Sequence, residues 1–415
     1  AFNDNLFKQI VLLLAVDTLF PGKDMQGFAF AVFALPFVLF SGAAGDLSEK
    51  YSKRSIIVRM KILEIVIMLF GIGALLLVPR QGTAAPGYAW PVLLVVLGVM
   101  GTQSAFFGPA KYGAIPEIVG GDRLVRANGG IAMTTFLAAL FGIGLGGPLL
   151  DHFGPGVAPP AEPKLWMPGV VCVGLAVAGT LIARRMGPLK ALRPELTISL
   201  NPFGRLWSTS KKLRAEKGLM SLILLNSFFW FNSGAISQAM NGMSVPEYLG
   251  MQRKSEVTWL TTTISVGIIL GSLLAPWLAK RLRLSWLVIG GTVTMVAAQS
   301  LLLLIGTVVT RDGYAFELAM GALAVAGVAG AVLMVPIQSY LQDAPPPGER
   351  GQAFAVNNFM NFLFMFLAGV FYQLVVASVG PTIAQACGGA ALLLWMLKSL
   401  PAIRAMHIEG HAEWT

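Results

Sequence analysis

Charged residues are scarce in this chain of 415 residues. Aspartate, glutamate, lysine and arginine together make up 12% of it, whereas hydrophobic residues make up 55%. A soluble globular chain has roughly 25% charged residues. The composition therefore excludes a soluble globular domain and favours an integral membrane protein. The 47 glycines agree with this, because glycine is more frequent in membrane helices than in soluble ones.

Cysteine and histidine are also rare, with two and three residues respectively. Cys172 and Cys387 lie in separate apolar runs with no ligand-forming neighbour, which is typical of small buried hydrophobic residues. His407 and His411 stand four residues apart, a spacing that can hold zinc, but no third ligand lies near them. We therefore predict neither a metal site nor a cofactor.

Several common enzyme motifs are missing from the sequence. The chain has no Gly-x-x-x-x-Gly-Lys-Ser/Thr phosphate loop, no Gly-x-Ser-x-Gly nucleophile elbow and no His-x-x-x-x-Asp acyltransferase motif. The glycine-rich run from Gly142 to Gly147 follows no strand pattern, so close helix packing in lipid explains it better than dinucleotide binding. The chain is predicted not to be an enzyme.

Twelve apolar segments approach the length that crosses a bilayer, which is about 20 residues. The first segment is the weakest, because polar residues precede its apolar run from Ile10 to Phe20. We expect upstream residues to complete it, which would place Asn3, Asp4 and Asn5 near the membrane centre. The segments lie at residues 1–20, 25–45, 56–78, 90–117, 125–150, 166–184, 218–241, 256–280, 284–309, 315–342, 353–378 and 381–404.

The longest polar stretch separates the twelve segments into two groups of six. We predict an N-terminal six-helix bundle at 1–184, a basic linker at 185–217, a C-terminal six-helix bundle at 218–405 and a tail at 406–415. The part of the linker from 206 to 217 is either a basic helix on the membrane surface or a solvated connection. Both interpretations stay open at this point.

Lysine and arginine predict the orientation, because they are enriched in cytoplasmic loops. They are more numerous after the even-numbered helices and in the linker than after the odd-numbered helices. Both termini and the linker are therefore predicted to be cytoplasmic, and the net charge of +10 is assigned to a surface facing anionic lipid, not to nucleic acid. The loops after even-numbered helices hold Lys50, Lys53, Arg54, Arg123, Arg126, Lys280, Arg281, Arg283 and Arg350.

The loop after the second segment carries a charged motif. It reads Gly45-Asp-Leu-Ser-Glu49-Lys50-Tyr-Ser-Lys53-Arg54 and resembles the Gly-x-Leu-x-Asp-Arg-x-Gly-Arg-Arg signature of the major facilitator superfamily. Two halves of six helices are also the arrangement of that superfamily. The resemblance implies an all-α membrane protein in which these residues form breakable ion pairs that lock one conformation. The alternative is an ordinary basic cytoplasmic loop.

A closer resemblance rests on three runs in helices one, four and five. Phe2-Asn3-Asp4-Asn5, Gly108-Pro-Ala-Lys111-Tyr112-Gly113 and Leu124-Val-Arg-Ala-Asn128-Gly are similar to the bacterial lysophospholipid transporter family, LplT. The Pro-Ala-Lys-Tyr-Gly run is the most specific of these. The family implies a flippase that moves lysophosphatidylethanolamine from the outer to the inner leaflet of the bacterial inner membrane by alternating access. A cytoplasmic or fused acyltransferase and acyl-carrier-protein synthetase would then reacylate the lipid.

The chemistry of this headgroup suggests which residues bind it. One phosphate and one ammonium need a cation, a carboxylate and neutral polar groups, with an apolar route for the acyl chain. Lys111 would contact the phosphate and Asp4 the ammonium. The other predicted contacts come from polar and aromatic side chains on helices one, four, five, seven, ten and eleven, namely Asn3, Asn5, Tyr112, Asn128, Trp230, Asn232, Gln338, Asn357 and Asn361.

Simpler interpretations of these residues remain open. Asp4 and Lys8 are four apart and can pair on one helix. Lys111 can snorkel to the interface, and the asparagines of helices seven and eleven can hold helices together. At the level of function, a proton-driven carrier of a small solute and a non-transporting anchor for fused enzymes are the alternatives to a lysophospholipid flippase.

Overall fold

The fold was analysed in a computed structural model. It describes residues 1–16, 18–78, 87–119, 124–155, 164–198, 210, 211, 213, 218–309, 314–344 and 350–406. The long elements in this part of the chain are α-helices. Nine of its helices are long and apolar enough to cross a membrane, counting residues 355–398 as one.

The first six helices follow the apolar segments of the sequence closely. The exception is α1, which ends at Ala15, although the apolar run continues to Phe20. The amide of Met25 donates to the carbonyl of Ala15 at 3.0 Å, and Val16 bridges Asp24. These bonds end the helix and turn the chain into α2. The helices are α1 (Phe2–Ala15), α2 (Gln26–Lys50), α3 (Lys53–Leu75), α4 (Ala89–Val119), α5 (Leu124–Phe153) and α6 (Trp166–Arg184).

The later helices contain one continuous stretch, Arg350–Lys398, which breaks at Gly380. Gly380 has φ of 78°, a left-handed conformation that favours glycine, and Pro381 starts the next helix. We therefore treat residues 350–379 as α11 and 381–398 as α12. The others are α7 (Leu219–Gly242), α8 (Lys254–Ala279), α9 (Leu284–Ser300, continued by the 3₁₀ turn Leu301–Leu304), α10 (Ala315–Asp343) and α13 (Leu400–Arg404).

The helices form two compact units. The first unit contains residues 1–203 and 253–258, and the second contains residues 204–252 and 259–415. In the first unit, α1 packs on α5, α2 on α4, and α3 on both α4 and α6. In the second unit, α7 packs against the 350–398 segment, and α9 packs on α10.

The start of α8 belongs to the first unit. The Asp151 carboxylate at the end of α5 accepts hydrogen bonds from the amides of Lys254 and Ser255, at 2.6 and 2.8 Å. These amides are among the helix N–H groups that have no partner within their own helix, and a carboxylate there is also favoured by the helix dipole. Asp151 therefore acts as the N-terminal cap of α8.

Close contact between α2 and α4 depends on Gly101. A Cβ atom at this position would overlap the carbonyl oxygen of Phe33 on α2. Small residues allow membrane helices to approach this closely, and dispersion contacts replace the hydrophobic effect as the source of stability in lipid. The crossing determines the position of α4, which carries Lys111, relative to α2, on which α1 also packs.

We expect Gly101→Ala to destabilise the first unit. The added methyl group must push the two helices apart, and overpacking of this kind costs about 1–3 kcal/mol. Gly108→Ala is the matched control on the same helix, because a Cβ there meets nothing within 4 Å. Thermal unfolding of the purified variants in detergent should show a lower Tm for Gly101→Ala alone. Equal melting temperatures would refute the packing role of Gly101.

Candidate functional site

Asp4 lies on α1 and faces α4. Its Oδ2 atom accepts a hydrogen bond from the Ser104 hydroxyl at 2.9 Å and lies 3.5 Å from the backbone amine of Ala1, and its side chain is 14% exposed. Ser104 also contacts Gln103 Oε1 at 3.2 Å. A carboxylate at this depth is costly in lipid unless it has a partner or reaches a water-filled cavity. Ser104 satisfies only part of its hydrogen-bonding capacity.

Lys111 lies on α4, seven residues after Ser104. Seven residues make about two helical turns, so the two side chains project from the same face, about 10 Å apart along the axis. The Lys111 ammonium donates to the Thr135 hydroxyl on α5 at 2.7 Å and lies 4.8 Å from the Tyr112 ring centroid. The side chain is therefore held between α4 and α5, which disfavours snorkelling.

Asp4 and Lys111 interact without forming an ion pair. The negative charge of Asp4 acts on the Lys111 ammonium, yet no oxygen of Asp4 lies within the 4 Å that defines a pair. Each group keeps a neutral hydroxyl partner, Ser104 or Thr135. The Asp4 carboxylate on α1 and the Lys111 ammonium on α4 can therefore each bind a further charged group.

Lys8 is a second cation in the same region. It is 9% exposed and donates to Asn5 Oδ1 at 3.1 Å. Its ammonium lies 4.9 Å from the Phe33 ring centroid and 5.9 Å from that of Phe30, so both rings provide cation–π contacts. No ion pair joins it to Asp4 among the described residues, which disfavours the simple i,i+4 pair. The charge of Asp4 nevertheless acts on it.

Asn3 points away from these charges. Its amide donates to Glu64 Oε1 on α3 at 2.8 Å and to the carbonyl of Cys172 on α6 at 3.0 Å. Glu64 also pairs with Lys61 at 2.5 Å. Asn3 is buried, and its hydrogen bonds join α1 to α3 and α6. These bonds account for Asn3 as a structural residue. Glu64 is a buried carboxylate whose partners are both in place.

Two other predicted residues of the first unit have less defined surroundings. Tyr112 is 48% exposed, and its ring covers one side of the Lys111 ammonium. Asn128 lies in α5, but its side chain is outside the part of the chain that the structure describes.

The predicted asparagines of the second unit are buried and bonded to other helices. Asn232 on α7 donates to Gln299 on α9 at 3.1 Å, and Asn226 on α7 donates to Asn357 on α11 at 2.7 Å. Asn361 accepts from the Ser227 hydroxyl at 3.1 Å. This geometry favours the interhelical alternative for Asn232, Asn357 and Asn361 over direct binding of a ligand.

Trp230 and Gln338 are the predicted residues of the second unit that remain suited to a ligand. Both are partly buried. The indole N–H of Trp230 has no hydrogen-bond acceptor among the described residues, although the atom is shielded from solvent. A buried indole N–H normally finds an acceptor, so Trp230 is the stronger of the two candidates.

The charged loop after α2 is held within the first unit. Glu49 pairs with Arg193 at 3.2 Å, and its carbonyl oxygen accepts the amides of Leu192 and Arg193. Arg54 donates to the carbonyls of Arg184 and Met186 at the end of α6. The carbonyl oxygen of Gly45 accepts a hydrogen bond from the Ser48 hydroxyl, and the ammonium of Lys50 lies beside the Tyr51 ring. The loop therefore fastens the start of the basic linker.

Lys53 connects this loop to the Pro-Ala-Lys-Tyr-Gly run. Its ammonium pairs with Glu117 on α4 at 2.5 Å, and the Lys53 side chain is only 4% exposed. Its stem crosses α4 at Gly113, where a Cβ would lie 2.8 Å from Lys53 Cε. The run thus has two functions on one helix: Lys111 faces α5, whereas Gly113 makes room for Lys53.

Sequence reasoning missed Ser104, Thr135 and the role of Lys8. The signals were present but weak. Ser104 precedes Lys111 by two helical turns, and Lys8 follows Asn5 by three residues, so each pair shares a face. Thr135 gave no signal, because its contact with Lys111 depends on how α4 and α5 pack. No cluster of three or more metal-ligating side chains occurs in the described part of the chain, and His407 and His411 lie outside that part.

Comparison with known proteins identifies the fold family. The Major Facilitator Superfamily matches residues 9–369, with a second match over 219–407. The chain belongs to this superfamily. The predicted all-α fold class is thereby confirmed, and the chain is a multi-pass membrane transporter, not an enzyme.

Curated relatives cover nearly the whole chain at low identity. A protein named lysophospholipid transporter LplT from Klebsiella pneumoniae subsp. pneumoniae is 24% identical over 96% of this chain and 92% of its own length. Proteins of the same name from Cronobacter sakazakii and Escherichia coli O1:K1 are 27% and 26% identical. They cover 91% and 96% of this chain, and 86% and 92% of their own lengths.

Solved structures of the superfamily share the fold. The inward-open xylose transporter XylE from E. coli matches with a TM-score of 0.66 and 14% identity, over 99% of this chain and 94% of that one. A bacterial homologue of the iron transporter ferroportin matches with a TM-score of 0.68, also at 14% identity, over 96% and 95%. At this identity the likeness concerns the fold alone.

The pair formed by Asn226 and Asn357 allows a test of the interhelical role. We expect Asn226→Leu and Asn357→Leu each to lower the free energy of unfolding by about 1–3 kcal/mol, because each leaves a buried polar partner unsatisfied. The double variant should recover much of this loss, since it removes both polar groups. Unfolding of all four proteins in detergent completes the double-mutant cycle. Strictly additive losses would argue that the two side chains do not act on each other.

Proposed function

We propose that this protein transports lysophospholipids, chiefly lysophosphatidylethanolamine, from the outer to the inner leaflet of the bacterial inner membrane by alternating access. The observation that carries the proposal is that Asp4 and Lys111 lie in the first unit without forming an ion pair with each other. The names of the relatives support it, since proteins called lysophospholipid transporter LplT align with nearly the whole chain.

The headgroup of this lipid complements the two charges. Its ammonium would bind the Asp4 carboxylate, and its phosphate would bind the Lys111 ammonium. Both interactions are charge-assisted hydrogen bonds, which are stronger than neutral ones. Ser104 and Thr135 hold the two side chains from their other sides. Asp4 and Lys111 stay apart without a ligand, so binding need not first break an ion pair between them.

Lys8 gives the region a net positive charge. Two lysines and one aspartate leave an excess of one cation, which suits lipids that carry a phosphate without an ammonium as well as zwitterionic lipids. The rings of Phe30 and Phe33 lie beside Lys8 and provide apolar surface. Lysophosphatidylglycerol is therefore expected to be a second substrate. Asn5, Tyr112 and Asn128 complete the proposed set of contacts in the first unit, and Trp230 and Gln338 remain the candidates of the second unit.

The proposed topology places both termini and the linker at 185–217 in the cytoplasm. It divides the chain into bundles at 1–184 and 218–405 with a tail at 406–415, and it rests on the distribution of lysine and arginine. The tail beyond residue 406 and about half of the linker lie outside the described residues. In this orientation the loop from Gly45 to Arg54 is cytoplasmic, and the pairs of Glu49 and Lys53 would open and re-form during the transport cycle.

The delivered lipid also defines the proposed partner. A lysophospholipid released at the inner leaflet lacks one acyl chain, so an acyltransferase must consume it, using an acyl group that an acyl-carrier-protein synthetase activates. We place these enzymes in the cytoplasm, either as separate proteins or fused to the transporter.

The central test compares two substitutions with two lipids. Asp4→Asn removes the charge and nearly keeps the shape, so it should weaken a contact of about 1.5–3 kcal/mol with the ammonium. Transport of lysophosphatidylethanolamine should then need roughly ten to a hundred times more lipid. Lysophosphatidylglycerol has no ammonium and should lose less or gain. Lys111→Gln should impair both lipids, because both present a phosphate.

The measurement is uptake of each labelled lipid into proteoliposomes with matched amounts of protein. The control variant is Gly108→Ala on α4, because a Cβ at this position has nothing within 4 Å. A substitution of Asn3 would not serve as a control, because Asn3 donates a hydrogen bond to Glu64. Equal losses for both lipids in Asp4→Asn would make Asp4 structural. If the unaltered protein moves neither lipid, the proton-driven carrier of a small solute becomes the better hypothesis.

A further inference from the structure

We propose that the second unit binds an anionic diacyl phospholipid of the bilayer in a groove formed by α8, α9 and α10. One acyl chain would lie in the groove, and the phosphate would meet the basic turn between α8 and α9. This site is separate from Asp4 and Lys111, and none of its residues takes part in the proposed transport site.

The groove is apolar along its whole length. It encloses about 680 Å³ and extends from Trp259 near the start of α8 to Leu282 and Trp286 at the α8–α9 turn. Its lining contains no charged residue. The few polar side chains in it are threonines, whose hydroxyls can bond to their own helix. A hydrocarbon chain is the ligand whose chemistry such a lining matches.

Glycines determine the shape of the groove. At its floor, α8 and α10 touch at Gly267, where a Cβ would lie 2.5 Å from the carbonyl oxygen of Ala324. At its α9 wall, Gly290 has nothing within 4 Å of its Cβ position. α10 also packs closely on α9, because a Cβ at Gly291 would lie 2.8 Å from the amide nitrogen of Leu333. Close packing of α10 on both α8 and α9 therefore leaves a channel lined by the three helices.

The basic turn lies at one end of this channel. Lys280, Arg281 and Arg283 are all exposed, and none forms an ion pair with a carboxylate of the described residues. Leu278 and Leu282, from the same turn, line the groove, so the cations and the apolar channel are contiguous. Arg281 stacks 4.2 Å from the Trp277 ring centroid, which restrains its guanidinium. Basic pockets beside membrane helices bind anionic lipid headgroups in this way.

The charge of the turn distinguishes this ligand from a zwitterionic lipid. No aspartate or glutamate occurs between Glu256 and Asp312, so the turn itself offers cations but no carboxylate to the ammonium of an ethanolamine headgroup. Arginine binds phosphate in a bidentate fashion. Trp277 and Trp286 are exposed beside the turn, as aromatic residues at a membrane interface are. The headgroup would therefore sit at the interface with its phosphate on the arginines.

The test measures lipid bound to the purified full chain by native mass spectrometry. The probes are dioleoylphosphatidylglycerol, dioleoylphosphatidylethanolamine and oleoyl-lysophosphatidylglycerol. We expect the diacyl phosphatidylglycerol to bind most tightly. The double variant Arg281→Gln/Arg283→Gln should weaken its binding by roughly tenfold or more, since each surface cation contributes to attraction of an anionic lipid. Lys398→Gln is the matched control, because Lys398 also lies over a tryptophan, Trp395, but lines no part of this groove.

A second pair of variants tests the acyl-chain channel. Gly290→Leu should fill the groove, since a Cβ at this position has nothing within 4 Å, and should lower binding of phosphatidylglycerol by a similar factor. Gly321→Leu is its control, because this glycine also has open surroundings but does not line the groove. Equal binding of the two diacyl lipids, or equal effects of test and control variants, would overturn the proposal. Binding of the lysolipid that falls in Gly290→Leu as much as binding of phosphatidylglycerol does would overturn it as well and assign the groove to a single-chain ligand.

Discussion

The structure of the first unit depends on keeping ionised side chains stable inside an apolar helix bundle. Asp4, Lys8 and Lys111 lie on α1 and α4, where burial of an isolated charge is expensive. None of the three forms an ion pair with another. Instead, each has a neutral hydrogen-bond partner, and Asp4 also lies 3.5 Å from the backbone amine of Ala1. Lys8 and Lys111 in addition lie beside aromatic rings. In the proposed function, a charged ligand completes the contacts of these side chains during transport.

Helix α4 links this region to the charged loop. Lys111 and Glu117 stand six residues apart on α4, and Glu117 forms an ion pair with Lys53, the first residue of α3. A displacement of α4 that followed binding at Lys111 would therefore also act on the Lys53–Glu117 pair. The Gly101 contact with α2 and the passage of Lys53 across Gly113 determine where α4 lies. The glycines of α4 are thus as important for the site as its charged residues.

Hydropathy was sufficient to predict the fold class and the approximate bounds of most helices, because lipid requires long apolar segments. It could not predict that α1 stops at Ala15, since the backbone bonds that end the helix come from residues 24 and 25. Lys111 was identifiable as a single cation in an apolar run. The partners of Asn232 and Asn357 could not be identified from the sequence, because an asparagine that joins two helices and one that binds a ligand look the same there. The α8–α10 groove depends on which glycines meet a neighbouring helix, which only the packed structure shows.

The central claim is that Lys111 contacts the phosphate of a lysophospholipid. Solid-state NMR can measure the dipolar coupling between ¹⁵N-labelled lysine side chains and the ³¹P nucleus of bound lysophosphatidylethanolamine in membranes. The account predicts a coupling at hydrogen-bond distance that disappears in Lys111→Gln and persists in Lys61→Gln, a variant of the structural pair with Glu64. A coupling that survives in Lys111→Gln, or none in the unaltered protein, would contradict it.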